Sequence, residues 1–99
     1  MVINGRALGA VEKIPAKNDF RTNTDAGAEF KSCTITNTMK NYAERASIAL
    51  HCKIAGVDMR EDEGKMHVLE VNRNPGFDAF ESASGINVAA EIISYLSSI

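Results

Sequence analysis

The 99-residue sequence is short of several features that mark common protein classes. It has two cysteines, Cys33 and Cys52, with neither a C-x-x-C spacing nor a histidine at zinc-ligand distance. That argues against a zinc site or a disulfide framework and for two free thiols in a cytoplasmic protein. No charge of one sign dominates: 11 basic and 13 acidic residues are scattered, for a formal net charge of −2. No nucleic-acid stripe or membrane-surface patch is therefore expected. No apolar run approaches the ~20 residues that span a bilayer. Met1 to Gly5 lacks the charged and apolar regions of a signal peptide. There is no G-x-x-x-x-G-K-[ST] loop and no G-x-S-x-G elbow, which excludes a Walker-type nucleotide site and gives no support to a serine hydrolase. Internal repeats and low-complexity segments are absent as well.

What is present is a 44% hydrophobic chain, enough for one small domain over residues 1–99. Asn4-Gly5 is a favoured two-residue hairpin turn, with Val2-Ile3 before it and a second strand, Arg6 to Ile14, after it. Pro15 stops that strand. Lys17 to Ser32 reads as a long polar loop with short extended pieces. Thr36 or Thr38 offers an N-cap. Met39, Tyr42, Ala43, Ala46, Ala49, Leu50 and Ile54 then recur at helical spacing, which predicts about four turns ending near Gly56. Val57 to Arg60 and His67 to Val71 read as strands around a charged turn, Glu61 to Lys65. Phe77 to Ala83 reads as a helical turn. Asn87 caps a final helix with Val88, Ala89, Ile92, Ile93, Tyr95 and Leu96 on its apolar side. The expected class is α+β, a mainly antiparallel sheet with helices packed on one face.

One constellation carries chemistry. If Asp62 faces Met66 across the turn, Asp58 sits directly opposite Glu70. Strand alternation puts Asn72 on the face of Glu70 and leaves Val57, Met59, Leu69 and Val71 for the core. Opposed carboxylates repel, and a divalent cation removes that penalty. Few hard oxygen ligands, with room for phosphates and water, suit magnesium. From spacing alone, a solvated acidic face serves equally well. Arg73 could reach a phosphate or a carboxylate, and Pro75-Gly76 shape a turn close by. An ordinary turn with an exposed arginine accounts for the same residues. Arg21 and Asn23, two apart in Asp19-Phe20-Arg21-Thr22-Asn23, form a second and weaker phosphate-binding candidate. His51 and His67 have no triad partners, and neither cysteine has a basic cluster to make a reactive thiolate.

Taken in order, Asp19-Phe20-Arg21-Thr22-Asn23, a helix, Ala55-Gly56-Val57-Asp58, Leu69-Glu70-Val71-Asn72 with Pro75-Gly76, and Gly85-Ile86-Asn87-Val88-Ala89 resemble the C-terminal part of RimK-like ATP-grasp ligases. The resemblance runs from Val2 to about Leu96. It implies ATP-dependent joining of a carboxylate to an amine, commonly an amino acid, through an acyl phosphate. It implies Asp58, Glu70 and Asn72 as ligands of Mg2+ or Mn2+. Arg21 corresponds to the phosphate-facing arginine and Asn23 to a polar residue of the same loop, with Glu70 and Arg73 beside the nucleotide.

Two departures accompany it. Ala26-Gly27-Ala28 stands where the family has a basic residue followed by Gly-Gly. The family's N-terminal and lid domains have no counterpart before Met1. The expectation is an incomplete ligase, inactive alone, that self-associates or meets a chain supplying those domains. The alternative is a non-catalytic remnant or interaction module that keeps the fold.

Overall fold

The computed structural model describes residues 1–14 and 28–99. In chain order the elements are β1 (Val2–Ile3), β2 (Arg6–Ala7), β3 (Ala10–Ile14), β4 (Glu29–Cys33), α1 (Asn37–Ala49), β5 (Ile54–Asp62), β6 (Lys65–Asn72), α2 (Asp78–Ser84) and α3 (Val88–Ser97). Four strands form a sheet in the order β2-β1-β5-β6, and β3 and β4 form a separate ribbon. All pairings are antiparallel. The class is α+β, as expected.

Local chemistry sets most boundaries. Asn4 and Gly5 have φ of 51° and 75°, the two left-handed positions that a tight hairpin turn between right-twisted strands needs. Thr36 is the N-cap of α1, its Oγ1 accepting from the Met39 backbone N–H at 3.1 Å. Asn87 caps α3 in the same way, its Oδ1 accepting from the Ala90 N–H at 2.9 Å. Gly85, at φ 76°, closes α2.

Several boundaries differ from the sequence reading: the strands read as Val57 to Arg60 and His67 to Val71 extend over Ile54–Asp62 and Lys65–Asn72, and two further differences have a visible cause. The stretch Arg6 to Ile14 is not one strand, because β2 pairs with β1 whereas β3 pairs with β4. The break falls at Leu8-Gly9. A Cβ on Gly9 would lie 2.7 Å from Ile86 Cδ1, so the chain passes close under that side chain, whose terminal methyl would have to move aside for any larger residue. Helix α1 also ends earlier than Gly56. His51 takes a left-handed φ of 54°; its N–H bonds the Ile48 carbonyl and the Cys52 N–H bonds the Ser47 carbonyl. This paired closure frees Ile54 to begin β5.

Adjacent strand residues point to opposite faces, yet Val2 and Ile3 are both buried, so β1 is covered on both sides. Ile3 packs with Phe80 of α2 and Val88 of α3. Helix α1 contacts β1, β2, β5 and β6 and supplies the cover on the Val2 side, with Ala43 and Ser47 buried. The one-face expectation thus describes α1, while α2 and α3 close the other side of β1. In α3 the inward stripe is Val88, Ile92 and Tyr95; Ile93 and Leu96 remain exposed. Both cysteines are free thiols, Cys52 buried and Cys33 partly so. Among the described residues no helix is long and apolar enough to cross a membrane.

Candidate metal centre

The hairpin β5–β6 turns on Glu63-Gly64, at φ 51° and 78°, with Asp62 opposite Lys65. The supposed Asp62–Met66 pair is therefore replaced by Glu61–Met66, followed by Arg60–His67 and Met59–Val68. Continued without interruption, this register would set Asp58 against Leu69 and move Glu70 to the other face. Instead the register shifts between Asp58 and Met59, and Asp58 faces Glu70, Val57 faces Val71 and Gly56 faces Asn72. Leu69 is the extra residue, a β-bulge. It is 62% exposed and does not join the core expected of it. Met59, Val57 and Val71 are partly buried.

The bulge thus returns Glu70 to the side of Asp58. Ile54 pairs with Ile3, and alternation along β5 carries that side through Gly56 to Asp58. Asp58, Glu70 and Asn72 therefore share the face of Ile3, and all three are exposed. Directly opposed residues of an antiparallel pair hold their Cβ atoms roughly 4.5–5.5 Å apart, close enough for two carboxylates to bracket one cation. Gly56, opposite Asn72, is part of this geometry. A Cβ there would lie 3.1 Å from Pro75 Cβ and 4.0 Å from Asn72 Cβ. The missing side chain lets Pro75 settle beside the ligand set.

The Asn72–Gly76 loop is anchored twice more. Asn72 Oδ1 accepts from the Asn74 N–H at 3.0 Å, and an amide oxygen keeps a second lone pair after that bond. Arg73 Nη2 donates to the Leu50 carbonyl at 2.8 Å, at the C-cap of α1. Arg73 is thus engaged with the helix end and is not gathered onto the carboxylate face. Gly76 lies outside the left-handed glycines. The turn is shaped by Asn72 and Pro75 rather than by glycine strain.

Arg21 and Asn23 lie outside the described residues, as does most of Ala26-Gly27-Ala28. Among the described residues no three His, Cys, Asp or Glu side chains gather into a metal cluster, so the candidate set is two carboxylates and one amide. Its chemistry is that of hard oxygen donors, which fits Mg2+ and leaves positions for phosphate oxygens. The Met1 amine is held below its ordinary value by burial, and the nearby Asp58 carboxylate opposes that shift. Burial, then the negative charge of Glu12, pushes the Cys33 thiol up, in keeping with an unreactive cysteine.

Supporting residues escaped the sequence reading. Glu81 Oε2 accepts from the Val88 and Ala89 N–H groups at 2.7 and 3.3 Å, placing a carboxylate on the N-terminus of α3. Glu44 Oε2 accepts from the Ala7 N–H at 2.8 Å and ties the edge strand β2 to α1. Neither has a local sequence signature. Gly56 does: a glycine inside a strand marks a close approach.

Comparison with known proteins bears on the family and the fold. A probable alpha-L-glutamate ligase of Mannheimia succiniciproducens is 37% identical over 95 residues, covering 96% of this chain and 32% of the relative. One of Rhodopirellula baltica is 34% identical over 96 residues, covering 97% of this chain and 24% of the relative. The chain therefore spans about a quarter to a third of the length of these curated relatives. Among solved structures, the ATP-grasp ligase PsnB complexed with minimal precursor matches 99% of this chain and 33% of its own, with a TM-score of 0.77. At 20% identity that likeness bears on the fold. The RimK-like ATP-grasp domain family matches residues 1–96, nearly the whole sequence, and the chain belongs to that family.

Proposed function

We propose that this chain is the metal- and ATP-phosphate-binding part of an ATP-dependent carboxylate–amine ligase. The observation that carries the reading is the pairing of Asp58 with Glu70 across β5–β6, with Asn72 on the same face. Two exposed carboxylates held opposite each other repel, and a bulge that brings them together has its reason in a shared cation.

In this reading Asp58, Glu70 and Asn72 hold Mg2+. Held by these three residues, Mg2+ would supply charge neutralisation at a nucleotide's phosphates. The family resemblance assigns Arg21 to the phosphates and Asn23 to the same loop, and both roles are part of this proposal. The γ-phosphoryl group passes from ATP to the substrate carboxylate, giving ADP and an acyl phosphate. The amine then attacks the acyl carbon, phosphate leaves, and the nitrogen gives up a proton. The protein's share is to position the reactants and keep water from the acyl phosphate. Glutamate is the proposed amino acid class, since the curated relatives carry that name. Residues 1–99 form one unit of the larger enzyme, and ligation by this chain alone is not expected.

Calorimetric titration with ATP, with and without Mg2+, tests the reading. Binding should require Mg2+ and be lost in Glu70→Gln. ATP binding indifferent to Mg2+, or unchanged in the variant, would contradict it. Turnover of ATP by the isolated chain with a carboxylate and an amine would contradict the claim that it needs the rest of the enzyme.

A further inference from the structure

We propose that Arg73 is a positioning residue: by bonding the end of α1 it holds the Asn72–Gly76 loop so that the Asn72 amide oxygen is presented beside Asp58 and Glu70. The inference rests on the metal reading above and assigns Arg73 a role other than contact with phosphate.

The geometry carries it. The last carbonyls of a helix have no partner within the helix and lie at the negative end of its dipole. Arg73 Nη2 meets one of them, the Leu50 carbonyl, across 23 residues of sequence. A planar guanidinium suits such a carbonyl better than a mobile ammonium does. Leu50 stands just before β5, which bears Asp58, and Arg73 stands just after β6, which bears Glu70 and Asn72. The one bond therefore references both ligand strands to the same point on α1.

The proximal end of β6 needs such a restraint. Among the described residues β6 is an edge strand, paired with β5 alone, and Asn72 is its last residue. Beyond Asn72 the loop is held by the Asn72–Asn74 bond and by Pro75 against Gly56. Loss of the Arg73 bond leaves Asn72 to be oriented by backbone pairing, the Asn72–Asn74 turn and the Pro75–Gly56 contact, none of which ties it to α1. The Asn72 oxygen would then sample positions off the carboxylate face, and a cation would have to meet the ordering cost on binding.

The test uses the 99-residue chain and four forms: wild type, Arg73→Ala, Arg73→Lys and Asn72→Ala, with the Asn72→Ala/Arg73→Ala double variant to close the cycle. Amide exchange of Asn74, whose N–H bonds Asn72, reads loop order without any metal. It should rise about tenfold in Arg73→Ala, with partial recovery in Arg73→Lys. Mn2+ titration followed by electron paramagnetic resonance reads the site. Affinity should fall about tenfold in Arg73→Ala, and the same change should do nothing further in the Asn72→Ala background. Unchanged Asn74 exchange would overturn the proposal. So would faster exchange with undiminished Mn2+ affinity, which would leave Arg73 a helix-end contact only, and so would equal losses in both backgrounds. Failure of the wild type to bind Mn2+ would sink the metal reading and this inference with it. That failure shows in the wild type, whereas failure of the inference alone shows only in the variants.

Discussion

At its distal end the β5–β6 hairpin turns on Glu63-Gly64, with nothing within 4 Å of where a Gly64 side chain would begin. At its proximal end the same two strands meet β1, α1 and the Asn72–Gly76 loop, and Gly56 has Pro75 pressed against it. The bulge at Leu69 separates the two. Outside it, register is dictated by the turn; inside it, by packing on β1 and α1. The turn can therefore relax without disturbing the pair Asp58–Glu70, and the pair can be lost while the turn still forms.

Substitutions at the two ends should separate accordingly. Gly56→Val has the largest expected effect. Its Cβ meets Pro75, so the loop must shift, and overpacking of this kind costs about 1–3 kcal/mol in denaturant unfolding. Mn2+ affinity should fall with it. A Gly56→Val chain of full stability and affinity would remove the proximal end's claim to tight packing. At the distal end, Gly64→Ala has free space but a φ of 78°. The strain should cost roughly 1 kcal/mol and leave Mn2+ affinity as it was. A change in affinity there would mean that the bulge does not insulate the site. Glu63→Asn is the smallest and has the opposite sign. Asparagine tolerates the left-handed position better, so a gain of about 0.5 kcal/mol is expected, again without effect on the cation.

The same contrast explains what was legible in the sequence. Features fixed by neighbours in the chain could be read directly: the Asn4-Gly5 turn, the Asn87 cap, a cap at Thr36 or Thr38 (it is Thr36), and a helical turn over Phe77 to Ala83 that is the helix Asp78–Ser84. Features fixed by distant packing could not. The break at Gly9 answers to Ile86, 77 positions away in the chain. The end of α1 at His51 uses a non-glycine residue in a conformation glycine would signal. The facing of Asp58 and Glu70 was reached by assuming a longer turn without a bulge. The actual turn is one residue tighter, and Leu69 makes up the difference. Arg73 shows the limit most plainly. Its type and position suit phosphate, but its partner is a helix carbonyl that no local pattern announces.

The most direct test of the metal centre is thermal unfolding of the wild type and Glu70→Gln, each with and without Mg2+ and ATP. Without ligand the variant should be as stable as the wild type or slightly more so, because neutralising Glu70 relieves its repulsion with Asp58. With ligand at about ten times its Kd the wild type should gain about 1.4 kcal/mol, and the variant should gain nothing comparable. Equal gains in both chains, or a variant that is markedly less stable without ligand, would contradict the account.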